Sequence, residues 1–326
     1  MADGAGQNGW AAGAGDATVG EVGETGAIRA FVRMLPASRE RLLGPGDDAA
    51  VTAAPDGRVV VTSDSLIEGP DFRREFSSPF DLGWKLAAVN LSDVAAMGAR
   101  PTALIVALAV PPDLPVRALQ EIAEGMRAAC ARLAPDCGVE GGDLATSPVL
   151  TAVATAFGSL DGRGPVTRSG ARPGDVLALA GELGHAASGL RLLFAGHREA
   201  TAPDWEARHA IARQLRPEPP IAAGAVAADA GASAMLDLSD GLGVDAARLA
   251  AASGVTLDLD PAFADRLDAA EDHALLATFP ATATLPSAFL PIGRVLPRAA
   301  APLLLGGAPV TATGWDPFRL AAERLA

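Results

Sequence analysis

Five segments of the chain set an Asp beside glycine or a hydroxyl-bearing residue: Gly46-Asp47-Asp48, Thr62-Ser63-Asp64, Asn90-Leu91-Ser92-Asp93, Gly141-Gly142-Asp143 and Asp237-Leu238-Ser239-Asp240-Gly241. In each, an apolar strand or a glycine turn is expected to deliver the carboxylate to a loop, and such loops converge readily at one rim of a sheet. Convergent carboxylates repel, and burying them unpaired is costly. A divalent cation removes that penalty. Oxygen donors with Ser and Thr hydroxyls nearby favour Mg²⁺ or Ca²⁺ over zinc, and Mg²⁺ typically bridges carboxylates to substrate phosphates. The pattern predicts a metal together with a phosphorylated ligand. The plainer reading of any single segment is that Asp frequents strand ends because it favours turns and helix caps; five segments with the same neighbours weigh against it.

The phosphates would not be held by a Walker loop, which needs Gly-Lys-Ser/Thr; Lys85, the one lysine, follows Trp84. Charge neutralisation then falls to metal ions and arginine. Thr167-Arg168 offers a guanidinium able to grip phosphate at two points, or simply an exposed, solvated Arg. A second pattern, Gly241-x-Gly243-x-x-Ala246 followed by Asp258 or Asp260, resembles a dinucleotide-binding turn. Asp237 and Asp240 stand where a pyrophosphate would approach, which suits a metal-bearing site better than a bare helix N-terminus.

The elements that must position these residues follow from hydropathy. Val59–Ser63 reads as a strand ending in Asp64, residues 81–97 as a long helix, Ala103–Val110 as a buried strand and residues 115–133 as an amphipathic helix. Val139 reads as a brief strand before Gly141, and Val149–Phe157 as another. Gly162–Gly174 is rich in Gly, Pro and Arg and marks a domain boundary. Beyond it, strands at 176–180, 234–238 and 255–259 alternate with helices at 186–194, 205–215, 222–230 and 244–252. Alternation in both halves gives an α/β (α+β) class, with domains at 21–161 and 162–326 after a Gly- and Ala-rich tail over 1–20 that is expected to be disordered.

Composition narrows the partners. A net charge of −13 argues against nucleic acid and anionic membrane surfaces, which need a basic footprint. Two cysteines, Cys130 and Cys137, fit no zinc pattern, and reduced thiols are the simpler reading. The most apolar stretch, residues 103–110, is far short of the ~20 residues a membrane span needs. A cytoplasmic protein is expected.

At these motifs the chain resembles the thiamine-monophosphate kinase family, in the superfamily that includes aminoimidazole ribonucleotide synthetase and selenophosphate synthetase. The resemblance runs from about Glu24 to Phe318. Besides the five Asp segments it takes in Thr167-Arg168-Ser169-Gly170-Ala171, Glu271-Asp272-His273 and Gly314-Trp315-Asp316-Pro317-Phe318. It implies an N-terminal mixed-sheet domain that binds ATP and dimerises, and a C-terminal α/β domain. It also implies ATP-dependent conversion of thiamine monophosphate to thiamine diphosphate with several Mg²⁺ ions, in a homodimer. Carried over residue by residue, Asp48, Thr62, Ser63, Asp64, Asp93, Asp143, Asp237 and Asp240 would be the metal set. Gly142, Asp143, Arg168 and Ser239 would touch ATP; Asp64, Asp143, Asp240 and Arg168 would orient the phosphates. Glu271 and Trp315 would contact the thiamine moiety, Trp315 by cation–π attraction to the thiazolium. No dedicated base is implied, because a phosphate acceptor is already ionised. The chain departs from the family at Asp71, where a substrate-contacting His is usual, at Ala269-Ala270, where Gly-Gly is usual, and in lacking a Tyr near Ala123. The alternatives are a paralogue acting on another small phosphorylated metabolite, or a silent binding protein.

Overall fold

The computed structural model of the chain describes residues 10, 13, 16–45 and 49–315; Asp48 lies outside them. The chain divides into two units, residues 1–94 with 100–161, and residues 95–99 with 162–326.

The first unit runs α1 (Val19–Val32), β1 (Arg41–Leu43), β2 (Val51–Thr52), β3 (Val60–Ile67), α2 (Pro79–Ala96), β4 (Arg100–Val110), α3 (Val116–Leu133), β5 (Gly138–Thr146) and β6 (Thr151–Ser159). A mixed sheet has the order β3-β6-β4-β5, with β4 antiparallel to β6 and parallel to β5. The period-2 pattern sorts its faces. Leu104, Val106 and Leu108 of β4 and Ala152, Ala154 and Ala156 of β6 are buried, whereas Ile105, Ala107, Val153, Thr155 and Phe157 on the opposite face are not. Helix α2 is apolar on nearly every side, and Leu86, Leu91 and Val94 are wholly buried. Each such side chain contributes about 1.5–3 kcal/mol through burial. Helices α2 and α3 meet backbone to backbone: a Cβ on Gly83 would stand 1.9 Å from the Ile122 carbonyl oxygen, and one on Gly125 would stand 2.0 Å from that of Phe80.

Helix α1 starts at Val19, where Thr18 and Glu21 form a capping box; Gly23, at φ 66°, interrupts it. Trp10 also differs from the expectation of a disordered tail. Its ring is buried and stacks on Phe72 at 6.3 Å, and its indole N–H donates to the Ser77 carbonyl at 2.6 Å. A large aromatic in a polar segment outweighs the composition around it.

The second unit runs β7 (Val176–Ala180), α4 (His185–Phe194), α5 (Trp205–Leu215), α6 (Ile221–Asp229), β8 (Ala234–Asp237), α7 (Leu242–Ser253), β9 (Thr256–Leu259), β10 (Leu275–Phe279), β11 (Phe289–Leu296), β12 (Leu303–Leu305) and β13 (Ala308–Pro309). Seven strands form one mixed sheet, β13-β12-β9-β11-β7-β10-β8. Alternate residues of β7, β8 and β10 enter two different cores. Leu177, Leu236 and Leu276 pack with Leu242, Ala246 and Leu249 of α7; Ala178, Met235 and Ala277 pack with Ala223 and Ala227 of α6. With both faces covered these strands read as continuous apolar runs. The sequence reading assigns no strand after Leu259, where the structure has β10 to β13.

Three placements differ from the sequence reading. Asp64 and Asp143 lie within strands, and Asp93 within helix α2, not in loops at strand ends. Strand β3 continues to Ile67 because Ser65, Leu66 and Ile67 pair with Val153, Ala152 and Thr151. Strand β5 continues through Asp143 to Thr146 because β4 supplies a parallel partner along that length.

Candidate active site

In the first unit Thr62, Asp64 and Asp93 gather where β3 meets α2. The Thr62 hydroxyl donates to Asp93 Oδ2 at 2.9 Å. The Asp64 backbone N–H donates to Asn90 Oδ1 at 3.0 Å, and Asn90 Nδ2 donates in turn to the Leu86 carbonyl at 2.9 Å. Asn90 is wholly buried, so this amide is a fixed peg between helix and strand. Alternation sends Ser63 to the other face, where its hydroxyl donates to the Ala154 carbonyl at 3.0 Å and lies 3.1 Å from Thr155 Oγ1. Asp143 belongs to that second face as well. The register sets Ser65, Val153, Ala107 and Asp143 in one row and Asp64, Ala154, Val106 and Gly142 in the next. Thr62, Asp64 and Asp93 therefore form one group and Asp143 stands apart, beside a groove of about 970 Å³ lined by Ile28, Phe31, Ile105, Gly142 and Phe157. Gly142 is required where it is: a Cβ there would lie 1.8 Å from the Val106 carbonyl oxygen. Asp71 closes its own turn, Oδ2 accepting from the Ile67 N–H at 2.8 Å.

In the second unit the loop after β8 is bracketed by the segments that carry the other candidates. The Glu271 N–H donates to the Ser239 carbonyl at 2.9 Å, and the Trp315 N–H donates to the Asp240 carbonyl at 2.8 Å. Asp237 is buried, with Oδ2 at 3.0 Å from Nδ1 of buried His273. Arg168 is exposed, and its neighbour Thr167 accepts from the Met235 N–H at 3.1 Å. Arg168 thus starts from beside the strand that ends in Asp237.

The structure adds residues that sequence reasoning missed. Asp245 Oδ2 accepts from the N–H groups of Asp240 and Gly241 at 3.0 and 3.2 Å, and Arg248 Nη1 joins Asp245 Oδ1 at 2.7 Å and also Asp240. Burial pushes the Asp245 carboxyl above its ordinary value, against the opposing pull of the Asp240 N–H and Arg248. Their i, i+3 spacing on α7 was the available signal. Gln214 Nε2 donates to Glu271 Oε2 at 2.6 Å; no local spacing announces that pair. Glu271 and His273 adopt φ of 65° and 54°, an unfavourable region for such side chains that persists where surroundings enforce it. Ala269 and Ala270 do not share it, so Cβ atoms are tolerated at this pair.

A mixed sheet with Asp64 on β3 and Asp143 on β5, and a covered sheet whose edge strand β8 ends in Asp237, define the class of protein. The family model for the AIR synthase related protein N-terminal domain matches residues 46–160, and that for the C-terminal domain matches residues 172–280. Within that class, the chain belongs to the thiamine-monophosphate kinase family. It is 40% identical over 321 residues to the thiamine-monophosphate kinase of Mycobacterium tuberculosis H37Rv, covering 92% of this chain and 93% of the relative. It is 35% identical over 303 residues to that of Corynebacterium glutamicum, covering 85% and 87%. Among solved structures, AaThiL complexed with AMPPCP and TMP superposes with a TM-score of 0.72 at 30% identity, covering 90% of this chain and 97% of that one. Among the described residues, no helix is long and apolar enough to cross a membrane.

Proposed function

We propose that the chain transfers the γ-phosphoryl group of ATP to the phosphate of thiamine monophosphate, giving ADP and thiamine diphosphate. The observation that carries the reading is the bracketing of the Ser239-Asp240 loop by the backbones of Glu271 and Trp315, the two residues that would meet the thiamine moiety. Likeness to a ThiL complex with AMPPCP and TMP supports it. An oxygen of the acceptor phosphate attacks Pγ, and the bond from Pγ to the bridging oxygen of ADP breaks. The acceptor oxygen is already ionised, so no side chain need take a proton, and the transfer is direct, without a phosphoenzyme. What the protein supplies is position and charge. Arg168 would grip phosphate oxygens, and Gly142, Asp143 and Ser239 would line the nucleotide.

The donors fit Mg²⁺: Thr62, Asp64 and Asp93 offer oxygen alone, and Thr62 and Asp93 are already in contact. With Ser63, Asp143, Asp237, Asp240 and Asp48 they form the proposed ligand set, with Asp143 acting apart from the Thr62 group. Bound Mg²⁺ would neutralise these carboxylates and the phosphate charge. A homodimer is part of the proposal. Val61 and Ile105, 60% and 37% exposed, share the open sheet face with Phe157, an apolar surface suited to a second copy. The buried, free thiols of Cys130 and Cys137 agree with a cytoplasmic setting.

Purified chain given ATP, Mg²⁺ and thiamine monophosphate should form thiamine diphosphate, and thiamine offered in its place should yield none; product from thiamine alone would defeat the proposal. Trp315→Ala should raise KM for thiamine monophosphate roughly 3–30-fold, the loss of a cation–π contact of about 0.5–2 kcal/mol. The kcat should change little, as steady-state kinetics would report.

A further inference from the structure

Strand β7 ends at Ala180, and the chain turns through Gly181 and Gly184, at φ 99° and 95°, into α4. Glu182 sits in that turn, His185 is the first residue of α4, and His209 faces them from α5. One carboxylate oxygen of Glu182 and one ring nitrogen from each His lie within 4.8 Å of one another. His209 Nε2 is 3.0 Å from Glu182 Oε2, and the two imidazoles meet edge to face at 4.8 Å. The phosphotransfer reaction uses none of the three.

Their arrangement is held from outside. The Asp272 carboxylate accepts from the N–H groups of Gly184 and Ala186 at 2.6 and 2.8 Å, fixing the backbone on both sides of His185. Trp205 stacks on His209 at 5.0 Å with 14° between the rings. Arg213 Nε donates to Glu182 Oε2 at 2.8 Å, while its Nη1 donates to Glu218 at 2.8 Å. The guanidinium therefore keeps a counter-ion if Glu182 turns to a cation. Two imidazoles and a carboxylate, partly open to solvent, make a borderline donor set unlike the all-oxygen set proposed for Mg²⁺. Zinc–ligand bonds of about 2.0–2.1 Å place ligand atoms roughly 3.4 Å apart, so the three atoms, now within 4.8 Å of one another, would draw together on binding.

We propose that Glu182, His185 and His209 form a binding site for a transition-metal ion of the Zn²⁺ class, with water in the fourth position. The test is calorimetric titration of tag-free, metal-stripped protein with ZnCl2 in millimolar Mg²⁺, which keeps the hard-oxygen carboxylates occupied. One Zn²⁺ should bind per chain. His209→Ala and, as a milder change, His185→Asn should each weaken binding by more than about 100-fold, beyond the 10–100-fold that loss of a mere outer-shell partner costs. Ni²⁺ should quench tryptophan fluorescence, and Trp205→Phe should remove most of that quenching while retaining Zn²⁺ binding. No Zn²⁺ binding by the parent chain, or equal binding by both His variants, would overturn the site.

Discussion

Asp64→Asn is expected to lower kcat by about 10²–10³-fold, the scale seen when one electrostatic partner of a transferring group is removed, with less than about 0.5 kcal/mol change in stability. The two effects separate because the proposed ligand role of Asp64 is distinct from its place in the fold. Its backbone is part of the fold, its N–H held by buried Asn90 and its strand paired with β6; Asn preserves both. Its exposed carboxylate supplies the charge that Asn removes. Asn90→Ala is the informative contrast. It leaves the carboxylate in place but removes the peg between α2 and β3, so stability should fall by about 1–3 kcal/mol and activity with it. Asp143→Asn should match Asp64→Asn in kcat although the two stand in different rows of the sheet. Steady-state kinetics beside thermal melts read both quantities; turnover within a few-fold of the parent in either Asn variant would remove that residue from the metal set.

The largest stability effect should come from the crossing of α2 and α3. Gly83→Val would drive a side chain into the Ile122 carbonyl, which an added Cβ alone approaches to 1.9 Å. Backbone on both sides cannot yield as a flexible side chain would. The cost should reach about 3 kcal/mol or more, the upper part of the range for overpacking, and lower Tm by about 6–12 °C in a domain of this size. Helix α2 carries Asn90 and Asp93, so activity should fall in step. Gly164→Ala is the control: its Cβ would meet nothing within 4 Å, and its melt should match that of the parent. A Gly83→Val melt equal to the control would mean that the helices do not cross where described.

Legibility in the sequence followed the physics of each element. Helices α2 and α3 and strand β4 are long, and their apolar period is set by their own residues. Asp64 and Asp143 look like loop residues in the sequence because β3 and β5 extend only by pairing with β6 and β4, and a ladder is a property of two segments. Trp10 shows the same limit: its partner Phe72 is remote in the chain. At the candidate site the Asp residues were visible by type and neighbours. What holds two of them was not, because Asn90 and His273 act through hydrogen bonds to Asp64 and Asp237, positions that local spacing does not reveal. The Ala269-Ala270 departure resolves for a like reason: the positive φ falls on Glu271 and His273, a conformation that residue type alone would not suggest.

The most direct measurement follows the phosphoryl group itself. Purified chain is incubated with ATP labelled at the γ-phosphoryl, Mg²⁺ and thiamine monophosphate, and the products are read by mass spectrometry. The label should appear in the terminal phosphate of thiamine diphosphate, one for each ADP formed, with none on the protein and none transferred when Mg²⁺ is chelated. ATP consumed without labelled thiamine diphosphate, or label trapped on the chain, would contradict direct transfer to thiamine monophosphate.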